Sequence, residues 1–327
     1  MKKKLQFLCL AFLLSLAGCA PKFNPSGPDE GGKDHLQPTG RSVTTYLALM
    51  VTDNRTSYRT MALCADRART ADGSLLTADC PDYSVKAIER AASLKQTFVR
   101  LAARTTLDKR AVCCRHDNIK DCCDTGGKDV FVSANRLEDI QSYDVTLDGK
   151  SFPGTPLTTL DDALGACRGR IFACLDMTAG LNFFYTSKII DSLAIADEIL
   201  YYLGDLGAEG TDHSESQGWK NYMEMGQYVA KLAPVFKASG TEAVDFIESQ
   251  DLSSVVTFEV PDASLAAYCH QSGFAVYSDI SASDADLASG NTAAVETEAA
   301  RRTDIVCCGV GDSAPVVQFL KNHNLNL

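Results

Sequence analysis

The sequence predicts an α/β protein built as a (β/α)8 TIM barrel. Three observations point there. Short apolar, β-branched runs alternate with stretches of helical period. The alternation continues through about 270 residues, the length and order of an eightfold barrel. No GxGxxG follows the first strand, which weakens the doubly wound open sheet that the same alternation would also allow.

The elements follow in order. Met61 to Ala65 is short and apolar. Val85 to Leu94 spaces Val85, Ile88, Ala91, Ala92 and Leu94 at a helical period. Phe98 to Ala103 and Ala111 to Cys114 read as strands, Leu160 to Cys167 as a helix, and Arg170 to Leu175 as a strand. Ile189 to Ala194 suggests a helix ahead of the strand-like Ile199 to Leu203. Thr241 to Ser249 is helical, Ser254 to Val260 β-branched, Leu265 to Gln271 helical, and Phe274 to Ile280 strand-like. Ile305 to Cys308 gives a last strand, and Ala314 to Lys321 a last helix.

The chain opens differently. Lys2, Lys3 and Lys4 precede an apolar stretch, Leu5 to Leu16, and then Leu16-Ala17-Gly18-Cys19. A charged start, a short apolar stretch and small residues at a cleavage point make a secretory signal. The stretch is too short to span a bilayer, which takes about 20 residues. A cysteine directly after Leu-Ala-Gly resembles the lipobox of bacterial lipoproteins. The expectation is therefore a signal peptide over 1–18, a lipid on Cys19 and a membrane partner outside the cytoplasm. Ala20 in place of aspartate favours the outer membrane. Residues 19–42, rich in Pro, Gly, Asp and Lys, read as a flexible tether, and 43–327 as one domain.

A chain that is 45% hydrophobic can bury a sizeable core, and a net charge of −11 argues against nucleic acid and anionic lipid headgroups as partners. The thirteen cysteines are many for 327 residues. With Cys9 removed and Cys19 acylated, an odd number remains and cannot all pair within the chain. Cys113-Cys114, Cys122-Cys123 and Cys307-Cys308 are adjacent pairs with no CxxC spacing, so a zinc site is not indicated. Buried small apolar residues, one or two disulfides, or a functional thiol cluster all fit.

Pro81-Asp82-Tyr83-Ser84, Ala87 and Ala91, Phe98-Val99 and Thr106-Leu107-Asp108 together resemble the opening of the glycerophosphodiester phosphodiesterase family. Thr159-Leu160-Asp161-Asp162-Ala163-Leu164 resembles that family's Thr-Leu-x-Glu-x-Leu helix start. Gly169 through Asp176, and Ala299 to Asp312, resemble two of its later strands. The likeness covers about 60–327. It implies a barrel of the phospholipase C-like phosphodiesterase type, with two histidines as acid and base and a divalent cation, calcium or magnesium, held by carboxylates.

This chain departs at those positions. Family His-Arg-Gly falls at Asp66-Arg67-Ala68, the Glu-x-Asp metal pair at Arg100 and Ala102, and His-Asp at Arg115-His116. Asp176 stands where the family has a carboxylate. A register slipped by one would instead align His116-Asp117 with His-Asp. A guanidinium stays protonated and cannot ligate a metal. The other histidines, His35, His213, His270 and His323, follow no barrel strand.

These residues imply a lipid-anchored protein without the family's hydrolysis and with no metal cofactor, acting at the cell surface as a scaffold or as a binder of a small phosphodiester or another anion through Arg67, Arg100 and Arg115. The competing fate of the arginines is neutralisation by Asp66 and Asp176. One alternative is an active phosphoric diester hydrolase using His116, Asp117 and Asp176. The other is a thiol-based metal or redox site made by Cys113, Cys114, Cys307 and Cys308 at the strand ends.

Overall fold

Among the described residues, eight parallel strands close on themselves. In chain order they are β1 (Ala62–Asp66), β2 (Phe98–Thr105), β6 (Phe172–Asp176), β7 (Ile199–Asp205), β8 (Ala233–Lys237), β9 (Thr257–Glu259), β10 (Ala275–Asp279) and β11 (Ile305–Cys308). Each pairs with its neighbours in sequence order, and β1 pairs with both β11 and β2 to close the ring. This is the (β/α)8 barrel. The computed structural model describes residues 36–37, 39–69, 80–147, 149–309 and 314–325, and Leu36–Leu327 form one compact unit.

Helices return the chain from one strand to the next. They are α2 (Val85–Ser93), α4 (Leu160–Cys167), α5 (Phe183–Leu193), α6 (Gln217–Met225), α7 (Thr241–Ser249), α8 (Ala263–Gln271), the pair α9 (Asp284–Ala288) and α10 (Ala293–Arg301), and α11 (Ala314–Asn322). Short polar residues fix several starts. The Ser84 side chain accepts from Ala87 N, Thr159 from Asp162 N, and Asp262 from Leu265 N. Apolar strand and helix faces between them make the largest core, around Val99, Leu101, Leu175, Tyr201, Phe236 and Phe258.

The barrel interior is a second core. Cys64, Phe98, Cys174, Leu200, Val235, Tyr277, Ile305 and Cys307 meet there, and Val43, Leu47 and Met50 of helix α1 (Val43–Ser57) pack onto them. Tyr46 of α1 lies 5.9 Å from Phe98 and 5.7 Å from Phe172, ring centre to ring centre. Phe98 and Phe172 begin their strands, so α1 covers the N-terminal end of the barrel. The C-terminal end is left for a site.

Thr39 and Arg41, in the stretch read as tether, both bond the buried Glu198. The signal peptide and Cys19 lie outside the described residues.

Two strand assignments need correction. Ala111–Cys113 is strand β3, but it runs antiparallel to the end of β2 and takes no place in the barrel. It opens a lobe inserted between β2 and α4, with the short helix α3 (Leu137–Ile140) and a hairpin, β4 (Asp144–Leu147) and β5 (Lys150–Pro156). The lobe has its own small core of Val112, Cys114, Ile119, Cys123, Val132, Ile140 and Val145. The barrel strand absent from the sequence reading is β8, Ala-Pro-Val-Phe-Lys, in which a proline weakens the strand pattern. Helix α1 was also missed; Val43, Thr44, Thr45, Val51 and Thr52 are poor helix formers, and its burial against the barrel overrides that.

Candidate functional site

Strand alternation carries a line of polar side chains to the C-terminal mouth of the barrel. Parallel register sets Asp66 beside Arg100, and Ala102 beside Asp176. Arg100 is 8% exposed, so its charge needs partners. Its Nη1 lies 2.5 Å from Asp279 Oδ2, and its Nη2 lies 3.0 Å from Asp176 Oδ2. The guanidinium also covers the Tyr202 ring at 4.7 Å, and the Tyr202 hydroxyl donates to Glu259 Oε2 at 2.7 Å.

The remaining oxygens are held as well. Asp176 Oδ1 accepts from Thr178 N at 3.0 Å and from its hydroxyl at 2.6 Å. Asp279 Oδ1 accepts from Ser281 N at 3.0 Å. Each carboxylate thus gives one oxygen to its own turn and one to Arg100. Charge-assisted bonds of this kind are worth about 1.5–3 kcal/mol each.

Beside this triad the chain leaves β1 through Arg67 and Ala68, both left-handed at φ 55° and 58°. The turn aims two arginines at one carboxylate. Arg69 grips Asp82 with Nε at 2.7 Å and Nη2 at 3.0 Å, while Arg67 Nη1 lies 3.6 Å from Asp82. Arg67 Nε lies 3.3 Å from Asp66 Oδ2 without hydrogen-bond alignment. Burial pushes the Asp66 carboxyl up, opposed first by Arg67, then joined by the Asp279 charge and opposed again by Arg100 and Arg115.

Arg67 and Arg69 form one wall of a cleft of about 260 Å³. The lobe supplies the other wall, including Arg115, His116 and Cys122. Arg115 and His116 are exposed, and among the described residues neither side chain makes a hydrogen bond or ion pair. Only the Arg115 carbonyl is engaged, by Arg104 Nε at 3.2 Å and Nη2 at 3.0 Å.

The structure therefore divides the expected site residues. Asp66, Arg100, Ala102 and Asp176 meet at the mouth; Arg67 joins mouth to cleft; Arg115 and His116 belong to the cleft. Arg100 is neutralised, as the competing expectation had it, but by Asp176 and Asp279. His116, Asp117 and Asp176 do not share one site. The Asp117 carboxylate takes the Ser133 amide at 2.9 Å and its hydroxyl at 2.6 Å, while Asp176 is bound to Arg100. Cys113, Cys114, Cys307 and Cys308 fall in four separate cores, not one cluster at the strand ends. Sequence reasoning missed Asp279, Asp82 and Arg69. A signal for Asp279 existed: β1, β6 and β10 are apolar runs that each end in aspartate.

Solved structures share this architecture. A glycerophosphoryl diester phosphodiesterase from Parabacteroides distasonis superposes with a TM-score of 0.64 at 15% identity, over 84% of this chain and 92% of that one. The chain has the fold of the glycerophosphodiester phosphodiesterases. A putative glycerophosphoryl diester phosphodiesterase from Silicibacter pomeroyi gives 0.61 at 12% identity, covering 82% and 95%. An Oleispira antarctica phosphodiesterase, solved with the product sn-glycerol-3-phosphate, gives 0.55 at 11%, covering 82% and 99%. No protein-family model and no curated protein matches the chain.

The divalent cation implied by a glycerophosphodiester phosphodiesterase fold does not fit these residues. The Arg100 guanidinium stands between Asp176 and Asp279, carrying the charge that a cation would carry. Among the described residues no group of three or more His, Cys, Asp or Glu side chains is arranged to hold a metal.

Proposed function

We propose that this is a lipid-anchored binding protein on a glycerophosphodiester phosphodiesterase fold, which takes a small phosphate-bearing anion into the cleft and does not hydrolyse it. The observation that carries the reading is Arg115, an exposed guanidinium with no partner among the described residues, facing a cleft with Arg67 and Arg69 on its opposite wall. A guanidinium holds a phosphate by two parallel hydrogen bonds without a metal. Arg67 and Arg69 share Asp82, so they lend the cleft positive potential. Arg100 drops out of the anion set expected from sequence because both its terminal nitrogens are committed.

Hydrolysis would need an acid and a base poised at the phosphate. His116 is the cleft's one imidazole, and no carboxylate orients it among the described residues. Calorimetric titration of inorganic phosphate and glycerol phosphate into wild type and Arg115→Ala tests the reading. Saturable binding that weakens in the variant and with salt supports it. No binding by wild type, or chelator-sensitive turnover of glycerophosphocholine, refutes it.

The anchoring part rests on the lipobox-like Leu-Ala-Gly-Cys19. Detergent phase separation of wild type and Cys19→Ser tests it, because two acyl chains contribute about 0.8 kcal/mol per buried CH₂. Identical partitioning of the two proteins would refute the lipid anchor.

A further inference from the structure

Three sulfurs gather in a place the anion reading does not use. Among the described cysteines Cys122 alone is only partly buried; the others are buried. It closes the short turn Ile119–Asp121, its thiol donates to Ile119 O at 3.5 Å, and it lines the cleft. Cys114 and Cys123 pack with it in the lobe's core, and Cys114 reaches the same cleft wall.

The three are not equivalent. The Cys123 thiol beside it holds Cys122 below the ordinary thiol range, against burial and the charges of Asp82 and Asp121. Burial pushes the Cys114 thiol up, and Cys122 adds to the rise more than any other neighbouring charge. A thiol that is partly exposed and more acidic than its neighbours is the one that reacts. Cys122 and Cys123 are joined by a trans peptide, which fixes their Cα atoms about 3.8 Å apart, closer than the roughly 4.4–6.8 Å of most disulfides. Cys114 comes from a separate segment and is free of that constraint.

We propose that the cleft is a thiol–disulfide exchange site, in which Cys122 attacks a small carboxylate-bearing disulfide and Cys114 completes the exchange. In the first step Cys122 gives its proton to solvent and attacks, a Cys122–S bond forms, the external S–S bond breaks, and one external thiolate leaves and takes up a proton. In the second, Cys114 gives its proton to solvent and attacks Cys122 Sγ, expelling the second external thiol. Two protein thiols are oxidised to one disulfide and one external disulfide is reduced to two thiols. Cys123 is a positioning residue that tunes Cys122. Arg67, Arg69, Arg115 and His116 face the incoming carboxylates, with Asp82 and Asp121 opposing them. This recognition step rests on the anion reading of the cleft; the exchange itself does not.

The test exposes the reduced full-length protein to oxidised glutathione, which is anionic, and to the neutral 2-hydroxyethyl disulfide. Alkylation and peptide mapping follow. Wild type should lose two thiols, mapped to Cys114 and Cys122. Cys114→Ser should stop at a mixed disulfide on Cys122, and Cys122→Ser should give neither product. Cys123→Ser should still react, with its rate-against-pH profile moved to higher pH, a shift that loosened packing alone would not give. Glutathione disulfide should outpace the neutral reagent by about tenfold, and Arg115→Ala should remove that advantage. Retention of all thiols by wild type, or oxidation of Cys122→Ser at the wild-type rate, would overturn the exchange site. Equal rates for the two reagents would overturn only its anionic partner and would count against the anion reading.

Discussion

The guanidinium of Arg100 stands 2.5 Å from the carboxylate of Asp279, on a strand 179 residues further along the chain. The contact joins β2 to β10 across the barrel mouth, and Asp176 of β6 takes the other end of the same guanidinium at 3.0 Å. Three strands are tied by one cation, in a place where none of the three side chains is more than one-fifth exposed. A buried group of this kind costs desolvation on every member, so its net worth over an apolar replacement is small. Removing one member alone is the expensive event.

Arg100→Ala should therefore destabilise the protein by about 3–5 kcal/mol, because Asp176 and Asp279 are left buried without their cation. Urea unfolding at neutral pH measures it. Arg100→Met combined with Asp176→Asn and Asp279→Asn should recover most of the loss. A loss below about 1 kcal/mol in Arg100→Ala would mean the two carboxylates find solvent and the triad is not structural.

Arg115→Ala should behave in the opposite way. Its side chain is exposed and has no partner among the described residues, so stability should change by less than about 0.5 kcal/mol. Phosphate affinity should fall by about tenfold or more, the loss of a charge-assisted contact worth roughly 1.5–3 kcal/mol. The same titration on Arg100→Met/Asp176→Asn/Asp279→Asn should leave phosphate affinity near that of wild type, which places the ligand in the cleft and not on the triad.

The barrel was legible because its order is written in hydrophobic period, which the strands β1, β2, β6, β7, β10 and β11 obey. Strand β8 was not, since Pro234 breaks the local rule and only pairing with β7 and β9 restores the strand. The arginines at 67, 100 and 115 were legible as residues out of place. Two of their partners were legible too, Asp66 beside Arg67 and Asp176 beside Arg100; Asp279 and Asp82 were not, because Asp279 lies on β10 and Asp82 beyond the first strand, and only the folded barrel brings them near. The cysteines show the same limit. That neighbours on a strand face opposite ways was legible, and Cys307 enters the barrel core while Cys308 enters the outer layer; that Cys113, Cys114, Cys307 and Cys308 fall in four different cores was not.

Asp284 should make stability depend on pH. Burial raises its carboxyl from 3.8 to about 6, in part opposed by the Gly309 amide that donates to it at 2.9 Å. The native state thus holds this proton more tightly than the unfolded chain does. The stability so gained is complete below about pH 4, declines as pH rises toward 6 and is absent above it. Asp284→Asn, which keeps an acceptor for Gly309 and cannot ionise, should exceed wild type in stability at pH 8 by about 1 kcal/mol, allowing for partial exposure to solvent. The two proteins should converge near pH 4. Unfolding curves that stay parallel between pH 4 and 8 would assign the titration elsewhere.

Two substitutions should install a divalent-cation site at the barrel mouth. Arg100→Glu with Ala102→Asp replaces the guanidinium by a carboxylate and adds a second one two residues on, beside Asp176 in the β2–β6 register. Asp176 and Asp279 are already in place and already held by their own turns through Thr178 and Ser281. Four carboxylates around one point repel each other, so the variant should be less stable than wild type without metal. An oxygen-rich acidic cluster suits a hard divalent cation. Calcium or manganese should then raise its unfolding temperature, with a stabilisation of about 2.7 kcal/mol at a hundred times the dissociation constant. Chelator should reverse the gain, and wild type should show none of it. Hydrolysis of glycerophosphodiesters should stay absent even with metal bound, since none of the described histidines contacts the triad and no described carboxylate orients His116. Turnover by the metal-loaded variant would refute the non-hydrolytic reading and show that a cation at this mouth is enough for hydrolysis. Failure of both cations to stabilise it would mean that Asp176 and Asp279 cannot turn from their loops toward a shared ion.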